Sequence, residues 1–319
     1  MPPSLPSLDG FTFPLPLSSA SSSSSFQLLH ESFTESDPKL DNNEVSAVNP
    51  QDLIGSTPLL DLTKYSLNPK VKVLAKCEYL NPSGSIKDRI AQHIITQAVQ
   101  TGKLKPGMTV VAATSGNTGA AIAMACALRG YDYIVITNEK TSKEKVDAMK
   151  AYGGEVIVSP SGVAPDHPDH YQNIENRLCA ENPGTYYGVD QYNNPFNADA
   201  YYATLGPEIW KQSSGSVTHF VAGGSTGGTV SGTAKYLKET NPDVKAVMAD
   251  PKGSVFWDHF VNGVPEDEVC VTKGWETEGV GKDSIPGCLD ISLVDGMVRA
   301  TDEDAFGMCR EVASNDGLL

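Results

Sequence analysis

Asn81-Pro82-Ser83-Gly84-Ser85-Ile86-Lys87-Asp88-Arg89 is the stretch on which the reading of this chain turns. Pro82, Ser83 and Gly84 signal a turn. Beyond it Ile90, Ile94, Ile95 and Ala98 recur at helical spacing, so an amphipathic helix is expected from Asp88. A lysine on such a turn is held against the body of its domain. There the positive helix end and desolvation lower its pKa, and a neutral amine is the form that attacks a carbonyl. Lysine is also unfavourable at that end of the macrodipole. Taken alone, the nonapeptide fits two readings: a surface lysine of a first helical turn, or a nucleophile.

Working outward, residues 71–76 alternate like a strand that delivers the chain to the lysine turn. Downstream, strands are expected at 109–113, 133–137, 155–159, 217–222 and 244–249. Helices are expected between them at 118–128, 142–152, 170–181, 198–212 and 228–239. Such alternation specifies an α/β fold in which parallel sheet is covered by helices on both faces. Ligands of that architecture sit in the loops at the carboxyl ends of strands.

Two of those loops stand out. Thr114-Ser115-Gly116-Asn117-Thr118-Gly119 offers hydroxyls, a side-chain amide and the free N–H groups of a helix start. That set suits a carboxylate, each charge-assisted bond contributing about 1.5–3 kcal/mol. A plain N-cap by Asn117 or Thr118 needs only one such residue. Gly223-Gly224-Ser225-Thr226-Gly227-Gly228-Thr229 also follows a strand and precedes a helix, where backbone amides can cradle a phosphate. It lacks the lysine of a nucleotide-binding P-loop and the Gly-x-Gly-x-x-Gly spacing of dinucleotide sites. An activated lysine, a carboxylate loop and a metal-free phosphate loop together point to pyridoxal phosphate acting on an amino acid.

The remaining sequence narrows the field. The 319 residues carry 39 acidic and 24 basic side chains, a net charge of −15 that argues against nucleic acid and anionic membrane as partners. No apolar run approaches the length of a membrane span. Cys77, Cys126, Cys179, Cys270, Cys288 and Cys309 are scattered without a Cys-x-x-Cys pair, which reads as reduced thiols of an intracellular protein with no metal site. Residues 1–45 form a Ser/Pro-rich stretch expected to be disordered. With no Lys or Arg before Lys39 it resembles neither a secretory signal nor a transit peptide, which leaves the cytoplasm by default.

From residue 49 onward the motifs resemble the β-family, fold type II, of pyridoxal-phosphate enzymes, and within it the cystathionine β-synthases. The resemblance implies two three-layer αβα subdomains of parallel or mixed sheet, with the cofactor in the cleft between them. It implies a catalytic domain at 46–319, with a mobile subdomain at 81–195 and a larger one from 46–80 plus 196–319. Lys87 would form the Schiff base and act in catalysis, and Asn117 would meet the cofactor's ring hydroxyl. Gly224, Ser225, Thr226, Gly227, Gly228 and Thr229 would hold its phosphate. Thr114, Ser115 and Thr118, together with Gln191, Tyr192 and Gly279, would bind substrate. The implied reaction joins L-serine and L-homocysteine into cystathionine in a homodimer, and the related cysteine synthases share the same three loops.

Three departures accompany the resemblance. Animal members of that branch carry a haem on an N-terminal Cys and His, whereas the first cysteine here is Cys77, so no haem is expected. Tyr201 stands where a His is expected. The sequence ends at Asp316-Gly317-Leu318-Leu319, before a Gly-Gly-Ser-Ser-Gly-like turn whose serine meets the pyridine nitrogen in the family. The chain is therefore expected to be an amino-terminal fragment or the product of an incomplete gene, poorly soluble or weakly active when expressed alone, with a non-catalytic fragment as the alternative from another class.

Overall fold

The computed structural model describes residues 48–114, 116–164, 167–272 and 274–318. The tail expected at 1–45 and Ser115 lie outside the described residues. A short antiparallel pair, β1 (Leu59–Asp61) and β2 (Leu74–Lys76), precedes the lysine turn. Helix α1 (Lys87–Gln100) begins on the lysine itself, one residue earlier than the spacing suggests. Its apolar stripe of Ile90, Ile94, Ile95 and Ala98 is wholly buried, as a period of 3.6 requires of a core-facing helix.

Strand β3 (Thr109–Ala113) then feeds α2 (Asn117–Arg129), β4 (Tyr133–Asn138), α3 (Lys143–Ala151), β5 (Glu155–Ser159), α4 (Tyr171–Glu181) and β6 (Tyr186–Gly188). The four strands are parallel and ordered β5-β4-β3-β6. Val110, Val111 and Ala112 are buried without alternation, as a strand covered on both faces demands. The chain runs outward from β3 through β4 to β5, then returns to pair β6 against the other side of β3. Loops leaving β3 and β6 therefore diverge at a topological switch point, where such sheets open a crevice.

Helices α5 (Phe196–Ala203) and α6 (Leu205–Gln212) lead to a second parallel sheet. It contains β7 (His219–Gly223), β8 (Lys245–Pro251) and β9 (Gly296–Ala300) in the order β7-β8-β9, with α7 (Gly228–Thr240) between the first two strands. Helices α8 (Val255–Phe260) and α9 (Asp302–Asp316) complete it. The helix expected at 198–212 is two helices, because the ring of Pro207 conflicts with the carbonyl of Ala203 and ends the first one there. α5 and α7 approach closely at glycines: a Cβ on Gly232 would sit 2.0 Å from the carbonyl oxygen of Ala198. The main core runs from α1 and α2 through β3 to α5, α6 and α7, which joins the lysine helix to the helix that follows the glycine loop.

Candidate active site

The lysine turn is anchored by its neighbours. Asp88 accepts from the Ser83 amide at 2.7 Å and from the Ser83 hydroxyl. Asn81 accepts from the Gly55 amide at 2.8 Å and donates to the Glu78 carbonyl at 2.8 Å. Arg89, with its side chain 1% exposed, forks onto two carboxylates: Nε to Glu78 at 2.7 Å and Nη1 to Glu208 at 2.8 Å. Its Nη2 reaches both acids at 2.8 Å. Lys76 adds a bond of 2.6 Å to Glu208. Burial would raise the Glu208 carboxyl, but Arg89 and Lys76 override it and hold that group down at about 2. The start of α1 is thereby tied to β2 and α6.

Lys87 borders a cavity of about 170 Å³ whose other walls include Ser225, Thr226, Gly227, Thr229 and Gly279. Burial pushes its amine down to about 8. The opposite wall is the loop before α7. Its glycines are there because other atoms stand where a side chain would go. A Cβ on Gly224 would sit 2.7 Å from the Phe256 ring, and one on Gly228 would sit 2.0 Å from Asn197 Oδ1. Gly227, at φ +81°, caps α7 without a side chain, which leaves the first helical amides to an anion.

Behind this wall runs a chain of buried bonds. Asn197 donates to Thr226 Oγ1 at 3.0 Å and to the Gln191 carbonyl at 2.7 Å. The Gln191 side chain donates to the Ala113 carbonyl at 2.9 Å and accepts from Thr118 Oγ1 at 2.7 Å. The loop after β3 and the loop after β7 are thus one bonded unit. The cavity itself brings together Lys87, Ser225, Thr226, Gly227, Thr229 and Gly279. The other expected residues are not on its walls. Asn117 is exposed at the start of α2, and Thr114 is buried with its hydroxyl accepting from the Gly116 amide at 3.2 Å. Tyr192 shares a 3.2 Å contact with the Tyr171 hydroxyl and lies beneath the Lys282 ammonium, 4.7 Å from its ring centre. Lys145 of α3 pairs with Glu278, beside Gly279.

Not every contributor carries a mark in the sequence. Arg89 was part of the opening motif, but its partners Glu78 and Glu208 and the bridging Asn197 carry no local pattern. Tyr201, in the position expected to hold a His, is fully buried with Thr229 beside its hydroxyl and packs on Gly232. The donor set fits a phosphate ester bearing an aldehyde. The lining offers hydroxyls and helix amides to an anion without a basic side chain, and the Lys87 amine, lowered by burial, to a carbonyl. Among the described residues no His, Cys, Asp or Glu cluster is arranged for a metal ion, and no helix is long and apolar enough to cross a membrane.

Comparison with known proteins agrees with this chemistry. The family model described as pyridoxal-phosphate dependent enzyme matches residues 50–319. A cystathionine beta-synthase of Apis mellifera is 39% identical over 282 residues, covering 87% of this chain and 55% of the bee protein. An O-acetylserine dependent cystathionine beta-synthase of Bacillus subtilis is 39% identical over 273 residues, covering 84% of this chain and 82% of that one. The crystal structure of a cysteine synthase from Entamoeba histolytica superposes with a TM-score of 0.76 at 31% identity, over 89% of this chain and 80% of that one. The chain thus spans about half the length of the bee relative. Its two parallel sheets are the fold type II architecture, and its cofactor is pyridoxal phosphate. With both the cavity and the family model in agreement, the chain belongs to the pyridoxal-phosphate dependent enzymes.

Proposed function

We propose that this chain catalyses a β-replacement in which L-serine loses its hydroxyl and the thiolate of L-homocysteine takes its place, giving cystathionine and water. The observation that carries this reading is the Lys87 amine, pushed down to about 8, facing the hydroxyls of Ser225, Thr226 and Thr229 across one cavity. When bound, pyridoxal phosphate supplies an electron sink for the charge left at the substrate Cα. Burial thus favours the neutral amine far more than in an ordinary exposed lysine. Lys87 Nζ would be the covalent anchor of the cofactor and, as a free amine once substrate is bound, would be the base for the Cα proton. Gly224, Ser225, Thr226, Gly227, Gly228 and Thr229 would hold the phosphate, and Asn117 would meet the ring oxygen. Thr114, Ser115, Thr118 and Gln191 would hold the substrate carboxylate, with Tyr192 and Gly279 beside the substrate.

A second reading within the same chemistry is that of a cysteine synthase, taking O-acetylserine and sulfide, and is supported by the likeness to the cysteine synthase of Entamoeba histolytica. The deciding experiment compares the purified protein's rates with serine plus homocysteine and with O-acetylserine plus sulfide, cystathionine and cysteine being separated by mass spectrometry. Faster cystathionine formation from serine supports the reading; cysteine formation alone overturns it in favour of the second. Lys87→Ala is expected to lose both the visible absorbance of the bound cofactor and turnover. The scattered thiols support a cytoplasmic setting. The resemblance further implies a homodimer and motion of residues 81–195 against 46–80 and 196–319.

A further inference from the structure

We infer that Glu175 is a positioning residue for substrate binding, its carboxyl standing in the fork where β3 and β6 part and holding the two substrate loops at a set separation. The pairing of these strands ends at Val111 and Gly188, followed by a bond of 2.9 Å from the Val189 amide to the Val111 carbonyl. Beyond that point the strands separate toward the crevice. Two backbone amides would be left unpaired there, that of Ala113 buried and that of Asp190 partly so, which is costly. Glu175 takes both: one oxygen accepts from Ala113 at 2.7 Å, the other from Asp190 at 2.8 Å.

The side chain comes from α4, on the far side of the sheet segment from Lys87, and is 5% exposed. Gly188 makes room for it, since a Cβ there would meet the Glu175 oxygen at 3.2 Å and Cys179 Sγ at 3.1 Å. The clamped residues immediately precede the candidate substrate groups: Thr114 follows Ala113, and Gln191 follows Asp190. The carboxyl touches neither the cavity nor the loops' side chains, so it acts through position alone. Displacing either strand end would shift Thr114, Thr118 and Gln191 relative to one another. The carboxylate they would bind then loses part of its hydrogen bonding, each such bond contributing about tenfold or more in affinity.

Burial raises this carboxyl to about 7 despite the two amides, and Asp190 adds to the rise. Cys179 of α4, Tyr187 of β6 and Tyr192 are the other titratable groups that face it. The clamp thus changes charge near neutral pH, where the ionised form accepts from both amides and the protonated form gives up one acceptor.

The inference rests on the amino-acid β-replacement reading and is tested on the holoenzyme, with L-serine binding followed by the change in cofactor absorbance. Glu175→Gln keeps the shape but turns an NH₂ group toward a backbone N–H. The expected result is a serine Kd and KM raised about tenfold, kcat within about threefold and unchanged cofactor content. The inflection near pH 7 in the wild-type serine Kd should disappear as well. A Kd within about twofold of wild type, with the inflection kept, overturns the inference. Should Glu175→Gln fail to fold by circular dichroism, Gly188→Ala, which crowds the same carboxyl, is measured instead. There a raised Kd supports the clamp and an unchanged one overturns it. A wild-type protein that binds serine but forms neither cystathionine nor cysteine would refute the functional reading, while the serine Kd still decides the role of Glu175.

Discussion

Replacing Arg89 with methionine keeps an apolar stem of similar length but removes the fork that neutralises Glu78 and Glu208. Both acids are largely buried, with side chains 12% and 19% exposed, so neither can turn to water at little cost. Holding Glu208 at about 2 against an ordinary 4.5 corresponds to roughly 3 kcal/mol of folded-state stability. Breaking a buried pair from one side costs about 3–5 kcal/mol, which agrees. Lys76 still reaches Glu208, so about 3 kcal/mol is the expected loss for Arg89→Met at pH 7, a large share of a typical 5–15 kcal/mol. The sign with pH follows from the depressed carboxyl. Its stabilisation is complete above 4.5 and is lost as pH falls through about 2. Urea unfolding followed by far-ultraviolet circular dichroism should therefore show the two proteins converging as pH falls from about 5 toward 3. A loss below about 1 kcal/mol at pH 7, or a gap that stays constant on acidification, would refute the account.

Further outcomes follow from the same geometry. Asn197→Ala removes the bonds to Thr226 and Gln191, so cofactor affinity of the apoprotein should fall about tenfold, checked by fluorescence titration. Lys87→Met should raise apoprotein stability by about 2 kcal/mol at pH 7, less than the full value of about 3 because the cavity admits water. The Lys87 pKa is lowered, so its penalty is complete below about 8 and is relieved between there and 10.5; urea curves at pH 7 and 10 test the sign. Glu175 behaves oppositely: with its carboxyl raised to about 7, its stabilising contribution is whole below 4.5 and fades as pH rises to 7. Glu175→Gln should flatten that slope in urea midpoints measured from pH 5 to 8.

Much of this site was legible because it is made of local signals. Gly224, Gly227 and Gly228 sit between a strand and a helix, and their spacing survives without any knowledge of tertiary contacts. The spacing of Ile90, Ile94, Ile95 and Ala98 set α1, and with it the orientation of Lys87. What escaped was built from distant partners. Arg89 and Glu208 are 119 positions apart, and Thr118 and Gln191 are 73 apart, so no window contains the pair. Strand β6 is three residues long and gives no period to read, although it creates the switch point. The break at Thr204 could have been read from Pro207, whose ring excludes a continuous helix.

The Asn197 amide has one orientation, because its NH₂ group must face the Gln191 carbonyl, which can only accept. The same NH₂ group donates to Thr226 Oγ1, so that hydroxyl is already an acceptor on its inner side. Its own hydrogen is free for the cavity that Thr226 lines, which makes it a donor there. A donor rewards an oxygen that carries no proton of its own. With the proposed phosphate against this wall, Thr226 would donate to one of its unprotonated oxygens, and retention of the cofactor should weaken below about pH 6, where such an ester takes up its proton and loses an acceptor.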